Sequence, residues 1–366
     1  MDVELVTDVD LLQQYVSGWE GLADRVSQPR AGGAIVAGWA QHMMGPDSEL
    51  RIWVALDHSE VVGVLPFVAE KMARGRLRLL PPATNMMYGV VPIAHPDCGS
   101  EVVEAIADDF AARSELVDLT SIFWLPEGSP WTDALGSRLG GSEWVATDTT
   151  HFTSYFTRVG VGIDAWLHQR SGKFRREVRR QARRFNEEGF RLFTAVEPGD
   201  IMEWLPQLRS LYVRRQEERE GEGYEFAEGM SSAIATTLDL SARGHLALSG
   251  LQRDGMVIGA AMAAVAGTRM SGWLIAFDRE WARFGPGIAV VLECLAAGAR
   301  AGCDVADLGV GDQPYKDDFQ DATFPLESVT WCRPRLARLL QLGSPPTPAA
   351  PVDEGARVDR VPGVGA

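Results

Sequence analysis

The sequence predicts an α/β (α+β) chain built as two successive mixed-sheet halves with flanking helices, the boundary falling near residue 158. Three observations carry this. Apolar runs short enough to be strands alternate with stretches of helical spacing along most of the chain. The order strand, two helices, antiparallel strands, helix, strand occurs twice. The 366 residues are also about the length of two domains, and a composition of 46% hydrophobic and 23% charged residues is that of a globular chain and not of a disordered or fibrous one.

In the first half, residues 2–6 read as a strand, and residues 8–23 as a helix with Leu11, Leu12, Tyr15, Val16 and Trp19 at helical spacing. Residues 51–56 and 61–68 are apolar runs joined by the polar turn 57–60, a hairpin signal. A strand at 76–80 is stopped by Pro81 and Pro82; a helix at 101–113, a strand at 116–124 and an alternating stretch at 144–158 follow. The second half opens with a basic helix over 163–188, whose Phe174, Val178, Ala182 and Phe185 form an apolar stripe, ended by Gly189. A strand at 190–195 leads to helices at 200–219 and 226–242. Strands at 245–251, 256–265 and 270–277 come next, then a helix at 286–301 and strands at 304–309 and 327–332. The tail from Gln341 holds five prolines and almost no large apolar side chains, the composition of a disordered segment.

Several classes are disfavoured. Residues 1–10 carry four acids and no base, unlike a secretory signal. The longest apolar run, 256–267, is well short of the roughly 20 residues that span a bilayer. The expectation is a cytoplasmic protein with no membrane span. Cys98, Cys294, Cys303 and Cys332 are scattered and the six histidines lack ligand spacing, so neither disulfides nor a metal are expected. The net charge of -15 hides an asymmetry: residues 170–184 hold eight bases against Glu177 alone, making that segment +7 on a body of -22. Such an element calls for an anionic partner, or for pairing with the body's own carboxylates. Only three of the 35 basic residues are lysines, Lys71, Lys173 and Lys316, and the only asparagines are Asn85 and Asn186.

Two constellations can carry chemistry. The turn 281–288 lies between an apolar strand and an apolar helix. Its Gly285 and Gly287 let backbone approach a ligand, the first turn of the helix, with Ile288, offers unpaired N–H groups, and Arg283 adds a guanidinium. The segment 304–316 is a buried strand that runs into Asp312, Tyr315 and Lys316. A carboxylate, a phenol and an ammonium within five residues are the groups acyl transfer uses as base, leaving-group acid and oxyanion stabiliser. Both patterns also occur as ordinary punctuation and solvated loop. The run 85–89 offers Asn85 and Tyr88 as an acceptor wall, or equally a capped turn.

The order Ser-Gly-Lys-Phe-Arg-Arg-Glu-Val-Arg-Arg-Gln-Ala-Arg-Arg, Glu-Glu-Gly, strand, long helix, then Gly-Pro-Gly and Pro-Tyr-Lys resembles the BioF2-like, or CelD-like, acetyltransferase domain of the GNAT superfamily. It is also similar to the Fem family of tRNA-dependent aminoacyltransferases. The resemblance covers about 171–319 and, weakly, 51–97. It implies a tandem GNAT fold: an acceptor-side half at 1–158, an acetyltransferase half at 159–340 and the tail 341–366. It further implies N-acylation of an amine on a small molecule or sugar by acetyl-CoA or another acyl-CoA. The donor would lie between strands 270–277 and 304–309, a backbone N–H of the first polarising the thioester carbonyl. Tyr315 would be the general acid, Lys316 the charge stabiliser and Asp312 the group that accepts the amine proton or orients the amine. Arg283, Gly285, Gly287 and Ile288, with Lys173, Arg176, Arg179 and Arg180, would hold the donor, the basic helix docking along the cleft between the halves. The phosphate loop departs from the family pattern, with Ala282 where Gln or Arg stands and Arg283 one place late. A Fem-like use of aminoacyl-tRNA, on a peptidoglycan precursor or secondary metabolite, and an inactive scaffold in exopolysaccharide assembly are the alternatives.

Overall fold

The apolar spacing of the first half becomes, in the computed structural model, which describes residues 1–84, 89–140, 143–195, 197–217, 244–311 and 313–340, the series β1 (Asp2–Val6), α1 (Val9–Arg25), α2 (Gly33–His42), β2 (Ser48–Asp57), β3 (Glu60–Lys71), β4 (Leu77–Leu80), β5 (Ile93–Ala94), α3 (Gly99–Ala112), β6 (Val117–Pro126), α4 (Pro130–Leu139) and β7 (Val145–Arg158). Asp8 starts α1 by accepting from the N–H groups of Asp10 and Leu11. One of these helices, α2, has no stripe to announce it. Residues 33–37 of α2 are all buried, and a helix enclosed on every side is apolar all round.

The second half runs α5 (Ile163–His168), α6 (Gly172–Glu187), β8 (Arg191–Ala195), α7 (Pro198–Glu217), β9 (Leu246–Arg253), β10 (Met256–Ala266), β11 (Arg269–Phe277), α8 (Pro286–Arg300), β12 (Val305–Val310), the turn α9 (Lys316–Phe319), β13 (Ala322–Cys332) and α10 (Pro334–Leu340). The expected single helix at 163–188 is two. Ser171 breaks it by capping α6, its hydroxyl accepting from Phe174 N. The last strand begins at Ala322, earlier than expected, because β7 supplies a partner along its whole length. The expected helix at 226–242 and the tail from 341 lie outside the described residues.

The strands form one sheet in the order β1-β2-β3-β4-β6-β13-β7-β12-β11-β10-β9-β8, with β5 paired to β3. Each half repeats one pattern. Four antiparallel strands are followed by a helical crossover, α3 or α8, to a fifth strand parallel to the fourth: β4 with β6, and β11 with β12. The closing strands are exchanged: β7 pairs with β12 of the second half, β13 with β6 of the first, and the two pair with each other. The division at 158 in sequence therefore does not divide the sheet. One core runs through both halves, from Trp19, Phe67 and Phe110 to Leu205, Leu248 and Met262; a second, built on 159–319, lies between the sheet, α8 and α6. Among the described residues no helix is long and apolar enough to cross a membrane.

Candidate active site

Parallel pairing of β11 and β12 is brief. Arg269, Met270 and Ser271 pair with Val305, Ala306 and Asp307, after which β11 follows β10 to Phe277 and β12 follows β7 to Val310. The two strands part, and a cavity of roughly 110 Å³ opens between them. In the first half β4 stops at Leu80, before Pro81 and Pro82, so the pair Leu79–Thr120 ends that ladder. Residues from both faces of the sheet line the cavity. Val291, Cys294 and Leu295 of α8 line it on one side; Met262 and Leu274, which belong to the core shared by the halves, line it on the other.

Tyr315 and Lys316, singled out in the sequence, both line this cavity. The chain reaches them through Gly309 and Gly311, at φ of 77° and 91°, a conformation open to glycine. Tyr315 is half-buried, its ring edge-on to Phe319. Lys316 differs from the expectation of a charge waiting for an oxyanion. It is 2% exposed, and Nζ donates to the carbonyls of Gly309, Val310 and Gly311 at 3.0, 2.7 and 3.0 Å. An ammonium has three protons, so these bonds employ all of them to hold the end of β12. Asp312 lies outside the described residues, as do Asn85 and Tyr88.

The turn 283–288 sits at the start of α8. Gly285 adopts φ 73°, ψ 43°, Pro286 opens the helix, and no side chain caps it, so its first N–H groups and positive dipole end face outward. Arg283 and Arg184 lay guanidinium groups over the ring of Phe284, at 4.9 and 4.8 Å, and Arg184 donates to the Arg283 carbonyl. Two cations at a helix N-terminus are suited to a phosphate. A Cβ at Gly285 would stand 2.3 Å from Gln181 of α6, and one at Gly287 would meet the Phe277 ring at 3.2 Å.

α6 docks on the second half alone, not between the halves. Phe174 packs against Trp166 and Phe319, and Phe185 against Phe190. Its third inward residue is Gln181, while Ala182 faces solvent, because steps of four, three and four keep to one face of a helix. Of its bases, Arg175 donates to the His168 carbonyl and Arg180 pairs with Glu177, whose carboxyl that guanidinium holds below the usual range. Just before the helix, Arg170 pairs with Asp321 and caps the carbonyls of Phe319 and Gln320. Lys173, Arg176, Arg179 and Arg183 are exposed.

Two side chains that sequence reasoning missed line the cavity, and a third touches one of them. Asp307 and Gln313 line the cavity, and Arg30 reaches Asp307 from the first half at 3.8 Å. An acid within an apolar strand was the available signal for Asp307; nothing around Arg30 announces it. Cys294 also lines the cavity, but burial pushes its thiol up to about 12. It stays protonated at neutral pH and is a poor nucleophile.

Comparison with known proteins bears on the fold. Residues 172–317 match the family model described as an acetyltransferase (GNAT) domain. No curated protein matches the sequence. Among solved structures the fold is similar to that of FemX, at 12% identity and a TM-score of 0.63 over 93% of this chain and 99% of that one. It is also similar to the C-terminal domain of a putative lysylphosphatidylglycerol synthetase from Agrobacterium fabrum, at 13% identity and 0.56 over 90% and 96%. L-PGS from Bacillus licheniformis follows at 12% and 0.51 over 88% and 91%. At these identities the likeness concerns the fold.

Proposed function

We propose that this chain, whose residues 172–317 match an acetyltransferase (GNAT) domain model, is a tandem GNAT acyltransferase that transfers an acyl group from an acyl-CoA, acetyl-CoA being the simplest, to an amine of a small molecule or sugar. The carrying observation is the cavity where β11 and β12 part, lined from both faces of the sheet and on one side by α8, whose start carries no side-chain cap. A donor whose phosphates rest on the turn 283–288 would send its thioester arm into the cavity from the α8 side, leaving the opposite face to the amine. The amine lone pair forms the new C–N bond at the thioester carbonyl, the C–S bond breaks, and the thiolate leaves with its electron pair. Tyr315, on the cavity wall, is the candidate to protonate that thiolate, while the amine proton passes to a carboxylate or to solvent. The protonated state of Cys294 favours direct transfer over an acyl-enzyme.

A second reading, in which the donor is an aminoacyl-tRNA, is favoured by the exposed row Lys173, Arg176, Arg179 and Arg183 on the helix that touches the turn at Gly285. Thermal shift and calorimetry separate the two. Coenzyme A at a hundredfold excess over its dissociation constant should add about 2.7 kcal/mol of stability. Gly287→Val should raise the apparent donor constant more than it lowers turnover. Unaltered coenzyme A affinity in that variant removes the turn from the donor site. Absence of coenzyme A binding, together with tight and salt-sensitive tRNA binding, establishes the second reading instead.

A further inference from the structure

We propose that Arg30 and Asp307 form the acceptor head-group site, and that the acceptor is a free α-amino acid, an amine with a carboxylate beside it. Calling the ligand an acceptor rests on the acyl-transfer reading; the site itself does not. Arg30 stands on the short turn Pro29–Ala31 and is 8% exposed. Among the described residues its guanidinium makes no hydrogen bond, Nε is buried without a partner, and the nearest carboxylate oxygen, Asp307 Oδ2, is 3.8 Å away, beyond hydrogen-bond reach. A buried charge left without hydrogen bonds is a steep cost to folding, and a bound ligand removes it.

Asp307 is held still and half used. Its Oδ1 accepts from Ser154 Oγ and Gly309 N, both at 2.8 Å, while Oδ2 takes no hydrogen bond among the described residues. A guanidinium and a carboxylate oxygen therefore lie side by side, each with capacity to spare. A lone anion would be repelled by Asp307, and a lone ammonium by Arg30. A group carrying both signs on neighbouring atoms satisfies both, the guanidinium fork taking the carboxylate. Gln313 adds a buried, unpartnered Oε1 on the cavity wall.

The position also fits. Asp307 is paired with Ser271 in the last rung before the strands part. Its neighbour Ala306 faces the core beneath α8, so Asp307 points to the opposite face, where an amine would enter. Arg30 comes from the first half, making the site a joint product of both halves.

Calorimetry and thermal shift on the full chain, with no donor present, test this. The probes are the twenty proteinogenic α-amino acids, their amides and their decarboxylated amines. At least one amino acid should bind, at least tenfold more tightly than its amide or amine. Arg30→Met should abolish that binding with the ligand-free melting temperature kept or raised; Arg30→Lys, which keeps the charge without the fork, and Asp307→Asn should each weaken it at least tenfold. The proposal falls if no amino acid binds, if an amide binds as well as its acid, or if Arg30→Lys and Asp307→Asn both bind as the parent does. Coenzyme A binding is read separately: its loss would remove the acyl-CoA reading and leave this site standing, and its presence without amino-acid binding would do the reverse.

Discussion

Tyr315 and Lys316 are adjacent in sequence and line the same cavity, yet their surroundings assign them different work. The Lys316 ammonium, inside three carbonyls, acts through the end of β12. Lys316→Met strands those acceptors in a buried place, a cost of about 1–3 kcal/mol for each one left unsatisfied, so a lower melting temperature should accompany any loss of rate. Tyr315→Phe removes one hydroxyl from a half-buried ring. If that hydroxyl protonates the leaving thiolate, turnover should fall by ~10² to 10⁴ with melting temperature and donor affinity held. Steady-state kinetics beside differential scanning calorimetry tells the two apart, and full activity in Tyr315→Phe would move the general acid elsewhere. The residue types were legible in the sequence; the burial that divides their roles was not, because it comes from the path of β12 and β7 around them.

Among the elements, α6 shows how far spacing reaches. An amphipathic basic helix was readable, since Phe174, Val178, Ala182 and Phe185 repeat at spacings of three and four. Its break at Ser171, the inward turn of Gln181 and its docking on one half depend on what it packs against. Phe174→Ala opens a hole between Trp166 and Phe319 and should cost about 3–5 kcal/mol, seen as a lower urea midpoint. Replacing Arg176, Arg179 and Arg180 by glutamine should leave that midpoint nearly unchanged, because all three are exposed and the pairing of Arg180 with Glu177 is a surface pair worth under about 1 kcal/mol. Donor binding should weaken in the triple variant. A collapse of stability with binding intact would make these arginines structural.

Across the whole molecule, the halves are tied by exchanged strands and by a polar clamp. His245, just before β9, places its two ring nitrogens 2.9 Å from Glu20 and 3.1 Å from Asp24 of α1. The Glu20 hydrogen bond, aided by both negative charges and opposed by burial, raises the imidazole above its usual value. The charged form is thus favoured in the folded chain. Its stabilisation is complete below the unfolded value of about 6.5 and is lost as pH rises through the raised folded value. Urea unfolding across neutral to alkaline pH should show stability declining in that window, and His245→Gln should remove that part of the slope. An identical pH profile in parent and variant would dismiss the clamp.

What the sequence determined by itself is what neighbours along the chain encode: strand and helix periods, the Gly285-Pro286-Gly287 turn, the basic face of α6, and the twofold order that implied two mixed-sheet halves. The tertiary structure alone decided that β7 and β13 change places, that β11 and β12 part after three pairs, that Lys316 is enclosed, and that Arg30 meets Asp307. The physical reason is range. Periodicity, capping and turn chemistry act over a few residues, whereas strand partnership and burial are set by contacts between segments far apart in the chain, and the candidate acceptor site consists of such contacts.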